Sequence, residues 1–265
     1  MAITRRASAS GVQSPSTNYV TVSKPAGTVS GDLMLAFVKY NLFGAVIPSG
    51  WTQIADSSLQ YAGGWYGLQV FYKFAGGGEP ASYNFYYSSN WGGGIVQLIS
   101  YYGTYTTYPD VFDGIEVLTG AIGLNVFLAQ ANTYISGDLM VVGAHGYRNG
   151  DNALTGFSTF GGGYSNHLST GNTFSFSGPS SYALATAEQV QTTAGWTPGG
   201  AAVAAAATNT SGTAIVCVRQ ANRTPLAPTP TWPPAGGYVD LAGGIPFSWI
   251  FNDPDQARDD IITGF

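Results

Sequence analysis

Along the first hundred positions, apolar residues recur at every second place in short runs broken by glycine. Leu68, Val70, Tyr72 and Phe74 alternate with Gln69, Phe71 and Lys73. Tyr83, Phe85 and Tyr87 repeat the alternation, and Ile95, Gln97, Ile99 and Tyr101 continue it. A period of two is the signature of strands. Residues 19–22 predict a first strand. The nearly continuous apolar run over residues 32–40 predicts a strand covered on both faces. Gly63-Gly64, Gly76 to Gly78 and Gly92 to Gly94 stand between the runs as turns would. Residues 1–15 are small and polar, without a pattern, and predict a flexible or partner-bound arm.

The chain then repeats itself. Ser30-Gly31-Asp32-Leu33-Met34 returns as Ser136-Gly137-Asp138-Leu139-Met140, each copy leading into an apolar strand. Residues 67–75 resemble 182–191, and 94–100 resemble 212–218 with Ile95 set against Ile215. The spacing between copies widens along the chain, which predicts an insertion in the second half around residues 161–169. The alanine run 201–207 reads as helix by propensity. The repeat gives it the place of the strand over 82–87, and Gly199-Gly200 precedes it, so a strand is expected. After Arg219 come Pro225, Pro228, Pro230, Pro233 and Pro234, a stiff linker by composition. Residues 238–241 and 247–251 read as two short strands. The expectation is an all-β chain: an arm (1–15), one antiparallel, jelly-roll-like β-sandwich of two related halves (16–221), a Pro-rich linker (222–236) and the start of a further domain (237–265).

Composition narrows the function. Charged residues make up 9 % of the 265, against about a quarter in ordinary globular chains. Aromatics reach 14 %, and Tyr and Phe exceed what one sandwich core of this size would need. Both facts predict an outer surface packed against sister copies, hence a homo-oligomer. Net charge is −5 with no basic run, so nucleic acid is not an expected partner. Arg5 and Arg6 are followed by no apolar stretch, so no leader is expected. No run approaches the roughly 18 apolar residues of a membrane helix. Cys217 is the single cysteine and forms no internal disulfide, which fits folding in a reducing cytoplasm. The glycosylation sequons at Asn209 and Asn222 are then chance matches.

Candidate chemistry is sparse. His145 and His167 have no cysteine or second histidine at metal-ligand spacing. Asp110 with Asp113, or Glu79, Glu116 and Glu188, offer carboxylates for a glycosidase, which needs a fixed pair. Asp110 and Asp113 also fit ordinary turn chemistry beside Pro109 and Gly114. Asp32 and Asp138 each follow a glycine and read as turn residues accepting backbone N–H bonds. Asp253, Asp255, Asp259 and Asp260 form an acidic cluster that lacks the glycine of a calcium loop and reads as a solvated turn. Neither a catalytic group nor a cofactor nor a metal is expected. Tyr61, Trp65, Tyr66 and Trp91 lie in Gly-rich segments, where aromatics either meet a sugar or a protein partner or cap the sandwich ends.

The order Gly31-Asp32-Leu33-Met34, Pro48-Ser49-Gly50-Trp51, then Tyr72-Lys73-Phe74-Ala75 with Glu79-Pro80 resembles a β-sandwich module of long-tailed bacteriophages, common in minor tail proteins of phages of actinobacteria. The resemblance covers roughly residues 15–220. Phe247-Ser248-Trp249 with Asn252-Asp253-Pro254-Asp255 resembles the start of the immunoglobulin-like domains that follow that module. The resemblance implies a virion structural role in the phage tail, made in the host cytoplasm, with copies of itself and other tail proteins as partners. It carries over no catalytic residue. Three other readings stand beside it: a capsid decoration or head-fibre protein, a carbohydrate-binding host-attachment protein that grips a surface glycan, and a cell-wall glycosidase.

Overall fold

In the computed structural model, residues 2–14, 17–41, 45–46, 48–61, 64–87, 93–120, 123–149, 153–175 and 179–221 are described. The expected linker and immunoglobulin-like start, 222–265, lie outside the described residues. The first half of the chain forms β1 (Thr4–Val12), β2 (Tyr19–Ser23), β3 (Leu33–Asn41), β4 (Ala45–Val46), β5 (Thr52–Asp56), β6 (Leu59–Tyr61), β7 (Gly64–Phe74), β8 (Ser82–Tyr87) and β9 (Ile95–Tyr102). The second half forms β10 (Phe112–Thr119), β11 (Gly123–Phe127), β12 (Asn132–Thr133), β13 (Leu139–Asn149), β14 (Phe157–Phe160), β15 (Ser165–Ser175), β16 (Pro179–Val190), β17 (Gly195–Trp196), β18 (Ala201–Thr208) and β19 (Thr210–Val218). All pairings are antiparallel.

The repeat is a repeat of topology. One large sheet runs β1-β9-β3-β7-β5, with β6 continuing β5 along β7; the other runs β10-β19-β13-β16-β15. The small sheets are β2-β8-β4 and β11-β18-β14. Leu33 sits between Phe74 and Tyr101, as Leu139 sits between Val190 and Val218. Even the irregularities match: β1 bulges between Arg5 and Ala7, and β10 between Phe112 and Gly114. The Ser-Gly-Asp motif now has a physical cause. Gly31 and Gly137 hold φ of 89° and 91°, the left-handed region that glycine enters without strain. Each donates its N–H across to the end of the next long strand, at Ala75 and at Gln191.

The halves share a sandwich, as expected: the two large sheets, one from each half, pack face to face, and each is covered on its outer face by the small sheet of its own half, giving four layers and three cores. Alternate residues of β3, β7 and β9 (Leu33, Leu35, Phe37; Leu68, Val70; Ile99) meet Leu139, Val141, Leu184, Ala214 and Val216 in the central core. The remaining residues of β3 (Met34, Ala36, Val38) face Val20, Val22, Tyr83 and Phe85 of the first small sheet. On the far side Met140, Val142 and Ala144 face Val126, Leu154, Ala202 and Ala204. Every residue of β3 is therefore buried. This arrangement also accounts for the composition. Three cores take up many of the aromatics and leave few positions for charge.

Two expectations need correction. Residues 4–12 are not an arm but the edge strand β1, in register with β9. The sequence missed it because Arg5, Arg6 and the serines give an edge strand its half-exposed polar look. The expected match of Ile95 to Ile215 is also out of step: Ile95 pairs with Lys39, while Gly212 pairs with His145, the counterpart of Lys39. The alanine run is strand β18, as expected. Ala202 and Ala204 point inward onto Ala183, Ala185 and Ala187 of β16, so small side chains let the outer sheet approach closely. The expected insertion around 161–169 is only in part a loop, because β15 begins at Ser165.

Candidate functional site

The four loop aromatics do not gather. Trp65 is 40 % exposed, but it lies on β7 rather than in a turn. Tyr66, the next residue on the same strand, points the opposite way and is buried between the large sheets. Its ring stacks on Tyr147 at 4.3 Å. The Tyr61 side chain and all of Trp91 lie outside the described residues.

Tyr66 leads instead to a polar cluster inside the central core. Lys39 and Asn41 of β3 hold the places that His145 and Tyr147 hold on β13, and Tyr66 of β7, opposite Asn41, has Tyr182 of β16, opposite Tyr147, as its counterpart. All are buried. Lys39 Nζ donates to the Gly93 carbonyl at 3.1 Å and sits 3.6 Å from the centroid of the Tyr182 ring. The ring face adds a cation–π contact in a dry place. Asn41 donates to the Tyr182 hydroxyl at 2.9 Å. Burial pushes the Lys39 ammonium well below its ordinary range. Burial, and then the Lys39 charge, push His145 down to about 3, so its imidazole is neutral at pH 7. Both His145 ring nitrogens are buried without a hydrogen-bond partner among the described residues. The ring fits only because residue 212 is glycine: a Cβ there would stand 2.8 Å from His145 Nε2.

The glycosidase carboxylates are spread over separate elements, and the buried ones are engaged. Asp113, on the β10 bulge, is paired with Arg219 and accepts the backbone N–H groups of Tyr134 and Ile135. Glu188 accepts from the Tyr101 hydroxyl at 2.6 Å, from Asn166 and from Arg5. Glu79 binds Lys73, the Tyr83 hydroxyl and the Gly76 N–H. Burial raises the Glu79 carboxyl, but those three donors together hold it below its ordinary value. Asp110 and Glu116 are exposed. Asp32 accepts the Val29 N–H, as expected of a turn residue, and also pairs with Arg6 on the β1 bulge. His167 is exposed on β15 with its ring against Phe160. No three His, Cys, Asp or Glu side chains converge as a metal would require among the described residues. The acidic cluster at 253–260 lies outside them.

Comparison with protein-family models, with curated proteins and with solved structures finds no match. The residues themselves therefore carry the functional reading. Sequence reasoning passed over Lys39, since one lysine inside an apolar run looks like a strand end. It also passed over three strongly exposed aromatics, Phe127 (62 %), Tyr134 (63 %) and Trp196 (70 %). The signal for these was present, because no charged residue stands between Glu116 and Asp138 or between Glu188 and Arg219.

Proposed function

We propose that this chain is a structural component of a bacteriophage virion, a minor tail or tail-tip protein that assembles with copies of itself and with other tail proteins. The observation that carries the reading is how its charge is used. The buried Asp32, Asp113 and Glu188 and the half-buried Glu79 each close an ion pair that pins strand to strand or hairpin. Such pairs fix register more than they stabilise, which suits a rigid building block. In each half the order β1-β9-β3-β7 against β2-β8-β4, or β10-β19-β13-β16 against β11-β18-β14, supports a jelly-roll-like reading. The resemblance of the Gly-Asp-Leu-Met and Pro-Ser-Gly-Trp segments to tail modules supports the phage assignment.

The test is the particle. Mass spectrometry of purified virions should contain the chain, and antibody labelling should mark the tail. Labelling of the head would favour the capsid decoration or head-fibre reading. Absence from washed virions would end the structural reading. A host-attachment role makes a narrower claim, that Trp65→Ala weakens binding to host envelope without moving the melting temperature. Hydrolysis of host cell wall, lost in Glu116→Gln or Asp110→Asn, would restore the glycosidase.

A further inference from the structure

Strand β1 is held by a charge key. Every strand that β1 touches follows it in the chain, so one connection, residues 13–18, ties it to its slot beside β9. It runs in register from Thr4 opposite Tyr102 to Val12 opposite Ile95. None of its residues is fully buried, and Ala9, with Ile3 just before the strand, supplies the apolar contact. The rest of its grip is ionic. Arg6, the extra residue of the bulge, pairs with Asp32 and lies 4.5 Å over the Tyr102 ring. Arg5 reaches across to the other half, to Glu188 and to the Asn166 carbonyl at 3.0 Å. The counterpart slot, that of β10 beside β19, is keyed with the opposite sign. Its bulge residue is Asp113, and the group that meets it is Arg219. An arm carrying Arg6 laid there would set two cations together, so residues 2–12 fit the β1 slot and are refused by the β10 slot.

We infer that the β1 slot is a strand-acceptor site, and that in an assembly the strand it takes is β1 of a second copy. The slot itself fixes the occupant: an extended segment with two adjacent cations, set to meet Glu188 and Asp32. In this chain Arg5-Arg6 is the one such pair. The contacts are the same whichever copy supplies the strand, so the effective concentration of each arm decides between them. Where copies stand side by side, a neighbour's arm competes with the chain's own. Exchange of an identical element then joins the copies without any new surface.

This inference rests on the homo-oligomeric part of the proposed function, and the experiment separates the two. Two full chains are produced together in one cell, one carrying Thr4→Cys and an affinity tag, the other Tyr102→Cys. Neither closes a disulfide within itself, because Cys217 is buried and burial pushes its thiol up. Residues 4 and 102 stand opposite each other across the antiparallel pair, within disulfide reach. A 4–102 bond between copies therefore requires β1 of one on β9 of the other. Thr4 is exposed and Tyr102 half-buried at the end of its strand, so both substitutions leave the cores intact. After capture by the tag and mild oxidation, denaturing electrophoresis reads the linked dimer that contains both chains. The reference is Thr4→Cys with Tyr86→Cys, two exposed positions that are not paired. The expected yield of linked dimer is at least about tenfold above the reference. Adding Arg6→Glu to the Thr4→Cys chain should return it to the reference, since two carboxylates would then meet at Asp32. Copies that copurify but link no better than the reference overturn the exchange and leave the homo-oligomer standing. Copies that do not copurify overturn both. A link that survives Arg6→Glu overturns the charge key.

Discussion

At the scale of single residues, the central core is specified by mismatched partners. Phe37 and Gly143 hold equivalent places in the two large sheets, and each occupies the space the other leaves: a Cβ on residue 143 would come 2.4 Å from Phe37 Cδ1. Gly143→Ala should therefore cost about 1–3 kcal/mol by overpacking. Phe37→Leu added to it should recover part of the loss in urea denaturation, whereas an unchanged midpoint for the single variant would contradict the packing. Lys39 and His145 are the second mismatched pair, and they make stability depend on pH. His145 titrates near 6.5 when unfolded and near 3 when folded. The unfolded chain therefore binds the extra proton, and stability falls as pH drops from about 6.5 toward 3, by about 1.4 kcal/mol per unit. Lys39, lowered from 10.5, acts in the same direction at higher pH, so stability rises from neutral toward alkaline conditions on its account. His145→Leu removes two unpartnered ring nitrogens. Its advantage over wild type should widen by about 3 kcal/mol between pH 7 and pH 4, and parallel pH profiles would show that His145 is not buried as described. The turn residues Gly31 and Gly137 could be read from the chain because conformation and spacing are local, whereas Gly143 could not, because its need for a missing Cβ comes from Phe37 across the core. The Lys39–His145 meeting could not, since it depends on which faces of two distant strands are turned together.

At the scale of elements, alternation found the strands well where one face was apolar and poorly where neither was. β3, β7, β8 and β9 follow their patterns, and the repeat correctly turned an alanine run into β18. β1 was lost because its pairing partner, not its own sequence, defines it. Its contribution is measurable. Arg6 closes the ion pair on Asp32, whose side chain is 4 % exposed, and Arg5 reaches Glu188, also 4 %. Deleting residues 2–12 would strand both carboxylates and open the edge of β9. We expect a clear fall in melting temperature, because two buried carboxylates lose their cationic partners and the edge of β9 opens. An arm without contacts would give no change, so a melting curve of the truncated chain separates the two. The candidate site failed for a related reason: Trp65 and Tyr66 are neighbours in sequence, but on a strand neighbours face opposite ways. One is on the surface and the other in the central core.

At the scale of the molecule, the two halves are made for each other rather than for themselves. β7 and β9 of the first large sheet pack on β19 and β16 of the second, the reciprocal pattern of an isologous pair within one chain. Each half alone would expose a broad apolar face, with Leu33, Leu35, Phe37, Leu68, Val70 and Ile99 on one side. Such a face drives association. Association of like halves is the poorer choice, because Phe37 would then meet Phe37 and Gly143 would meet Gly143, a clash in one case and a void in the other. The chain also joins its halves beyond the core, through the Thr104–Gln220 bridge and the Tyr105 N–H on the Arg219 carbonyl. Cutting the chain in the exposed stretch after Thr106 tests this specification. Fragments 1–106 and 107–265 produced together should copurify as a one-to-one complex with a single cooperative melt. Produced apart, each should self-associate or precipitate, and mixing the refolded fragments should favour the mixed pair. Two soluble monomers with independent transitions would mean that each sandwich is stable alone and that the central core is an accessory contact.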